Sequence, residues 1–141
     1  MQRFDPIGHL THLYSKTGQY IKFSYKEDQL IEVEDNNSQK LFLKYDKHGK
    51  VIKITGPNEA VCLYQYSAAG DLVHVEASNG KTPTEIYNYE YNAFHNMEKA
   101  VWPDKSSITI KYDNKKDWVM AFTDRENCTE NYKYEASKTE P

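Results

Sequence analysis

Tyr45-Asp46-Lys47-His48-Gly49-Lys50-Val51-Ile52-Lys53-Ile54 is the stretch that decides the fold of this chain. An aromatic ring ends one segment, a short polar side chain opens a turn, glycine closes it, and apolar residues return two and five positions later. Asp46 can accept hydrogen bonds from backbone amides just ahead of it. Gly49 can supply the positive φ required where a type I turn runs into a bulge. Upstream, Leu41, Leu43 and Tyr45 alternate with period two, the mark of a strand with one buried face. The stretch therefore reads as one tight antiparallel hairpin.

The same grammar recurs along the chain. Phe4-Asp5-Pro6-Ile7-Gly8-His9-Leu10 and Tyr66-Ser67-Ala68-Ala69-Gly70-Asp71-Leu72 are its nearest copies. Alignment on the ring gives Phe4, Tyr25, Tyr45, Tyr66, Tyr91, Tyr112 and Tyr134, at intervals of 21, 20, 21, 25, 21 and 22 residues. Spacing that regular marks a tandem repeat, whose unit cannot bury its apolar face alone. Pro6 strengthens the turn assignment, because a type I turn accepts proline directly after its first residue. Asp5, Gly8, Asp46, Gly49, Gly70 and Asp113 are the structural turn residues, and the seven rings are the structural aromatics. Three copies drift: Tyr25-Lys26-Glu27-Asp28-Gln29 is a residue short and lacks glycine, while His95 and Lys116 take the glycine position after Tyr91 and Tyr112. Looser turns are expected there.

Alternation also precedes the other rings, as in Ile21, Phe23 and Tyr25, in Tyr64 and Tyr66, in Tyr87, Tyr89 and Tyr91, in Ile108, Ile110 and Tyr112, and in Tyr132 and Tyr134. Breakers such as Asn36-Asn37, Gly56-Pro57-Asn58, Asn79-Gly80, Pro103-Asp104 and Asp124 to Asn127 turn the chain at the opposite end. The expectation is all-β: an antiparallel β-meander of about twelve strands of five to seven residues, forming a curled sheet or partial shell. A single domain over residues 1–135 with a polar tail at 136–141 follows. After each turn the apolar positions lie three apart, as with Val51 and Ile54, which strict alternation would send to opposite faces. A bulge, or apolar contact on both faces, is expected there.

Composition narrows the function classes. Of 141 residues, 38% are apolar and 28% charged, so a thin sheet with one wet face suits the chain better than a thick interior. The formal charge of −3, with both signs interleaved, offers no electrostatic footprint for nucleic acid. No apolar run approaches the roughly 20 residues of a bilayer span, and the first residues lack the apolar core of a secretion signal. Cys62 and Cys128 have no CxxC spacing and read as idle thiols.

Nothing nominates a catalytic site, a metal site or a cofactor. His9 and His12, the closest histidine pair, should face opposite sides of a strand. Ser106 and Ser107 have no elbow glycines around them, and the glycines are spread one per turn rather than gathered in a phosphate loop. The aromatic surplus is what could carry function. Tyr64, Tyr87 and Tyr89 read first as cross-strand packing. If solvent-facing, they could join Trp102 and Trp118 in binding carbohydrate or a protein partner.

Tyr-Asp-x-x-Gly-x-Leu-x-x-Ile recurring about every 21 residues resembles the YD repeat of Rhs-family proteins, the class that includes the extracellular shell of teneurins. The resemblance runs from Phe4 to about Tyr134. Phe4-Asp5, Tyr45-Asp46 and Tyr112-Asp113 carry the dipeptide, whereas Tyr25-Lys26, Tyr66-Ser67, Tyr91-Asn92 and Tyr134-Glu135 depart from it. It implies a ribbon of hairpins that spirals into a hollow shell around a cargo, and a secreted, periplasmic or surface location. About six repeats are too few for such a vessel, and the family's self-cleaving aspartic site is not evident. The expectation is a non-enzymatic shell segment that packs against further repeats, an enclosed cargo or a second copy; a small carbohydrate- or envelope-binding protein is the alternative.

Overall fold

The computed structural model describes residues 1–135; the polar tail expected over 136–141 lies outside the described residues. Thirteen strands follow one another in chain order in a single open sheet. They are β1 (Gln2–Phe4), β2 (Leu10–Tyr14), β3 (Tyr20–Lys26), β4 (Gln29–Asp35), β5 (Lys40–Tyr45), β6 (Val51–Thr55), β7 (Val61–Tyr66), β8 (Leu72–Ser78), β9 (Glu85–Tyr91), β10 (Met97–Val101), β11 (Ser107–Tyr112), β12 (Val119–Thr123) and β13 (Thr129–Asn131). No helix occurs among the described residues, so no helix is long and apolar enough to cross a membrane.

The count exceeds the expected twelve because the seventh ring brings its own incoming strand, β13. That strand is shorter than its alternation suggests: it stops at Asn131, so Tyr132 and Tyr134 fall just beyond it. The ladder nonetheless reaches one residue further, through the Tyr132 amide bonded to the Met120 carbonyl at 2.9 Å. Both edge strands, β1 and β13, are three residues long, and every residue in them is exposed.

The three-residue spacing of the apolar positions is resolved by a bulge that recurs at one place in the repeat. Tyr45 lies opposite Val51 while Lys44 lies opposite Lys53, so Ile52 is the extra residue. Register shifts at the same place make Thr11, Ile31, Glu98 and Met120 the extra residues of their hairpins. Each inserted residue reverses the alternation once, which returns Val51 and Ile54 to one face, with Tyr45 and Leu43 opposite them.

The chain forms two compact units. The first comprises Met1–Gln65 with Val75–Glu85. Its register gathers Leu13, Ile21, Phe23, Tyr25, Val33, Leu43, Tyr45 and Ile54 on one face. The other face is charged: Lys22 pairs with Glu34 across the strands, and Lys40 Nζ sits 2.8 Å from Glu32 Oε1 and 3.7 Å from Glu34 Oε2. The second unit comprises Tyr66–His74 and the chain from Ile86 onward. There Tyr89, Ala100 and Ile108 lie side by side, as do Ile110 and Phe122.

The core is thin. Among the described residues only Ala100, at 4% exposure, and Ala121, at 8%, are buried, and no large side chain is fully enclosed. Leu13, Ile21 and Leu41 each keep about two fifths of their surface in water, at 39%, 38% and 41%. A single layer leaves this result unavoidable: each face can be covered only by neighbours in the same sheet unless something else lies on it.

Candidate functional site

The repeated chemistry lies at the turns, and Asp46 shows how it works. Its carbonyl accepts the Gly49 amide at 3.1 Å, and its own amide donates to the Lys50 carbonyl at 2.8 Å. Its carboxylate oxygen Oδ1 accepts the amides of His48 at 2.8 Å and Lys50 at 3.0 Å. Gly49 takes the expected left-handed conformation, φ 78°. Asp5, with Gly8 at φ 94°, repeats the pattern through the amides of Ile7 and His9. In the turn closed by Gly70, φ 91°, the Ser67 hydroxyl accepts the Asp71 amide.

The drifting copies resolve in different ways. His95 adopts the glycine conformation, φ 65°, and Asn92 Oδ1 caps that turn through the amides of Phe94 and Asn96. After Tyr112 the loop is one residue longer, with Asp113 bonded to Trp118, and the left-handed residue is Asp117, φ 55°, instead of Lys116. The short second copy closes more tightly than expected. Lys26 pairs with Gln29 directly, and Glu27 and Asp28 both have positive φ, 49° and 63°, the two-residue type I′ hairpin whose twist matches its strands.

The far corners obey the same rule. Asp35 Oδ1 accepts the Asn37 and Gln39 amides, and Asp124 Oδ1 accepts those of Glu126 and Cys128, all at 2.9 Å. Asp5, Asp35, Asp46, Asp113 and Asp124 thus all hold their turns through backbone amides.

What sequence reasoning missed is the task of the tyrosine hydroxyl. Tyr25 donates to the Leu10 carbonyl at 2.9 Å, Tyr45 to Leu30 at 2.7 Å, Tyr112 to Met97 at 2.8 Å and Tyr134 to Val119 at 2.8 Å. Each acceptor lies 15 residues back. It is also the residue that faces the preceding ring across its hairpin, as Leu10 faces Phe4, Leu30 faces Tyr25, Met97 faces Tyr91 and Val119 faces Tyr112. At these four positions the hydroxyl ties its hairpin to the bulged turn of the one before. Burial pushes the Tyr112 hydroxyl above its usual pKa. The fixed interval of 15 was the available signal.

The five candidate binding rings have different surroundings. Tyr64, Tyr87 and Tyr89 are half-buried on their strands. Trp102 is half-buried, and the Arg125 guanidinium lies over its ring at 4.8 Å. Trp118 is 39% exposed, with Lys116 Nζ at 4.2 Å from the ring centroid and the Tyr134 ring at 4.7 Å. His9 stacks on Tyr25 at 4.4 Å, while His12 stacks on Tyr14 at 5.7 Å. No three His, Cys, Asp or Glu side chains converge as metal ligands among the described residues, and Cys62 and Cys128 are free thiols.

The turn carboxylates make stability depend on acid. The Lys50 amide holds the Asp46 carboxyl below its ordinary value, and the Lys116 amide does the same for Asp113. A carboxyl depressed by folding stabilises the fold above its unfolded pKa, and that contribution disappears as the pH falls through the folded value. The chain should therefore lose stability as pH drops through and below the usual aspartate range. Asp46→Asn should keep the turn, as Asn92 does, and flatten that slope. Denaturation midpoints measured from neutral to strongly acid pH would check this; an unchanged slope would remove Asp46 from the account.

Comparison with known proteins agrees with this architecture. The sequence model of the Teneurin YD-shell family matches residues 2–141. The fold is similar to part of the Photorhabdus luminescens Tc holotoxin pore, with a TM-score of 0.70 and 17% identity over 88% of this chain. It is equally similar to part of the TcdB2–TccC3 crystal structure, with a TM-score of 0.71 and 17% identity over 88% of this chain. The chain spans 7% of the length of each of those chains. No curated protein sequence matches.

Proposed function

The chain belongs to the Teneurin YD-shell family, and from that premise we propose that it is a non-enzymatic structural segment of a bacterial surface or secreted YD-repeat shell. Its ring-bearing face and its edge strands pack against further repeats, an enclosed cargo or a second copy. The observation that carries this reading is the single layer: thirteen strands enclose no large side chain, and the apolar face stays partly wet. Apolar surface left in this state favours any partner that removes it from water. The unpaired backbone of β1 and β13 offers a second means of joining. Capped turns and tyrosine ties supply rigidity, and this set of interactions has no step that transforms a substrate.

Light scattering together with a fluorescent dye for exposed apolar surface tests this reading. The chain should bind the dye and self-associate as its concentration rises, and added partner repeats should suppress both. A monomer at every concentration that ignores the dye would end the reading. Turnover in a broad substrate screen would overturn its non-enzymatic part.

A further inference from the structure

The far corners of the sheet are finished in different ways. In the second unit Arg125 Nη2 lies 2.7 Å from Asp104 Oδ2 and locks two corners together. In the first unit the corner at Ser15 to Gln19 faces the corner at Asp35 to Gln39 across an open cleft. The corner from Asn79 to Thr84, which joins β8 to β9, converges instead on one side-chain carbonyl. Asn79 Oδ1 accepts the Lys81 amide at 3.0 Å, the Thr82 amide at 2.9 Å and the Thr82 hydroxyl at 3.0 Å. By comparison, Asn92 Oδ1 caps its turn through the amides of Phe94 and Asn96.

The residue that follows is as unusual. Asn79 is the only asparagine of the chain that precedes a glycine, and both residues are exposed to water. Gly80 has φ 72°, and a Cβ added there would stand 2.6 Å from Glu59 Oε2, so conformation and space both require glycine. No side chain shields its nitrogen. The Gly80 amide donates to Ser78 Oγ at 3.3 Å, longer than an ordinary N–H···O bond. Only the Asn79 carbonyl carbon, Cα and Cβ separate that nitrogen from Asn79 Cγ, so a bond between the two closes a five-membered ring.

We propose that Asn79 is a self-modifying site, at which attack by the Gly80 nitrogen converts the side-chain amide to a carboxylate while Oδ1 sits in a preformed oxyanion hole. A solvent base takes the Gly80 amide proton, and the nitrogen electron pair forms a bond to Asn79 Cγ. The negative charge develops on Oδ1, which already faces three donors, the arrangement that stabilises the tetrahedral intermediate of an acyl transfer. The intermediate collapses by breaking the Cγ–Nδ2 bond. Nδ2 takes a proton from water and leaves as ammonia, and a cyclic imide remains. Water then opens the imide at either carbonyl, to aspartate or to isoaspartate, with no oxidant or cofactor consumed. Aspartate keeps the cap, as Asp46 does in its own turn. Isoaspartate routes the main chain through Cβ and Cγ, which lengthens it by a methylene and dismantles the cap. Either product adds negative charge to a corner where the Glu59 carboxylate already lies against Gly80, so the corner becomes more acidic with time.

The full chain should be incubated at neutral and at mildly alkaline pH and sampled over time by peptide mapping. Mass spectrometry reads the gain of mass as amide becomes acid, and chromatography separates the aspartate and isoaspartate peptides. Asn79 should convert before any other asparagine, to both products, and faster at the higher pH because the attacking nitrogen must lose its proton. Thr82→Val removes the hydroxyl donor and keeps the amide. It should slow the conversion about fivefold, the rate equivalent of one hydrogen bond to the transition state. Thr82→Ser keeps the hydroxyl and should match the parent. Thr82 is exposed, so neither substitution disturbs packing. An Asn79 that stays intact would overturn the proposal, as would conversion led by another asparagine such as Asn37 or Asn114. Aspartate formed without isoaspartate would also overturn it, since that marks direct hydrolysis by water, and so would an equal rate in Thr82→Val.

Discussion

Tyr45→Phe should lower the stability of the chain by about 1 kcal/mol, the net worth of one hydrogen bond whose carbonyl partner is left in a half-buried setting. The ring keeps its place opposite Val51, and only the bond from its hydroxyl to the Leu30 carbonyl is lost. Tyr45→Ala removes the ring as well. It should cost about 2 to 3 kcal/mol, at or below the low end for an aromatic truncation because Tyr45 is only half-buried. Urea denaturation would read both effects as a lower midpoint at unchanged slope. The two variants separate the hydroxyl from the ring. If phenylalanine were neutral, the tie between hairpins would be a by-product of packing, and the preference for tyrosine at four stapled positions would need another cause. Tyr25, Tyr112 and Tyr134 make the same bond, so the loss should recur with each of them in turn, although Tyr134 lies next to an exposed edge and should contribute least.

Ala100→Leu should destabilise the second unit by about 2 kcal/mol, a typical cost for forcing extra methylenes into a filled position. Ala100 is 4% exposed and lies between Tyr89 on β9 and Ile108 on β11, where a larger side chain must displace one of these neighbours. The exposed turn residue Ala69 is the control, and Ala69→Leu should stay within about 0.5 kcal/mol of the parent. Thermal or urea midpoints for the pair would check this. Equal effects would mean that Ala100 marks no packing constraint, and that the tight row of the sheet lies elsewhere. A chain with few buried positions depends strongly on each, so this is where an ordinary substitution does the most damage.

Much of the fold was legible because its determinants are local. The two-residue alternation before Tyr45, the aspartate that caps the turn and the glycine at positive φ act over at most five positions. The bulge could be expected for the same reason, since the three-residue spacing of Val51 and Ile54 had to be reconciled with one buried face. The errors were also local but subtler. Glu27 and Asp28 give no glycine signal, yet the loss of one residue allows a type I′ turn that two non-glycine residues close. At Asp113 one inserted residue moves the left-handed position from Lys116 to Asp117. Asn36-Asn37 was read only as a breaker, because sequence shows that two corners exist without showing that they face one another.

The amino-acid order by itself determined the period, the strands, their turns and the side of the ribbon on which the rings lie, because each depends on groups only a few bonds apart. Tertiary structure alone decided which carbonyl each tyrosine reaches, that Arg125 closes one pair of corners while another pair stays open, and that the apolar face remains half wet. Those contacts join groups separated by about 15 or more residues in the chain. Strand register brings them together, and register is set by the whole ladder of neighbouring strands rather than by any one hairpin.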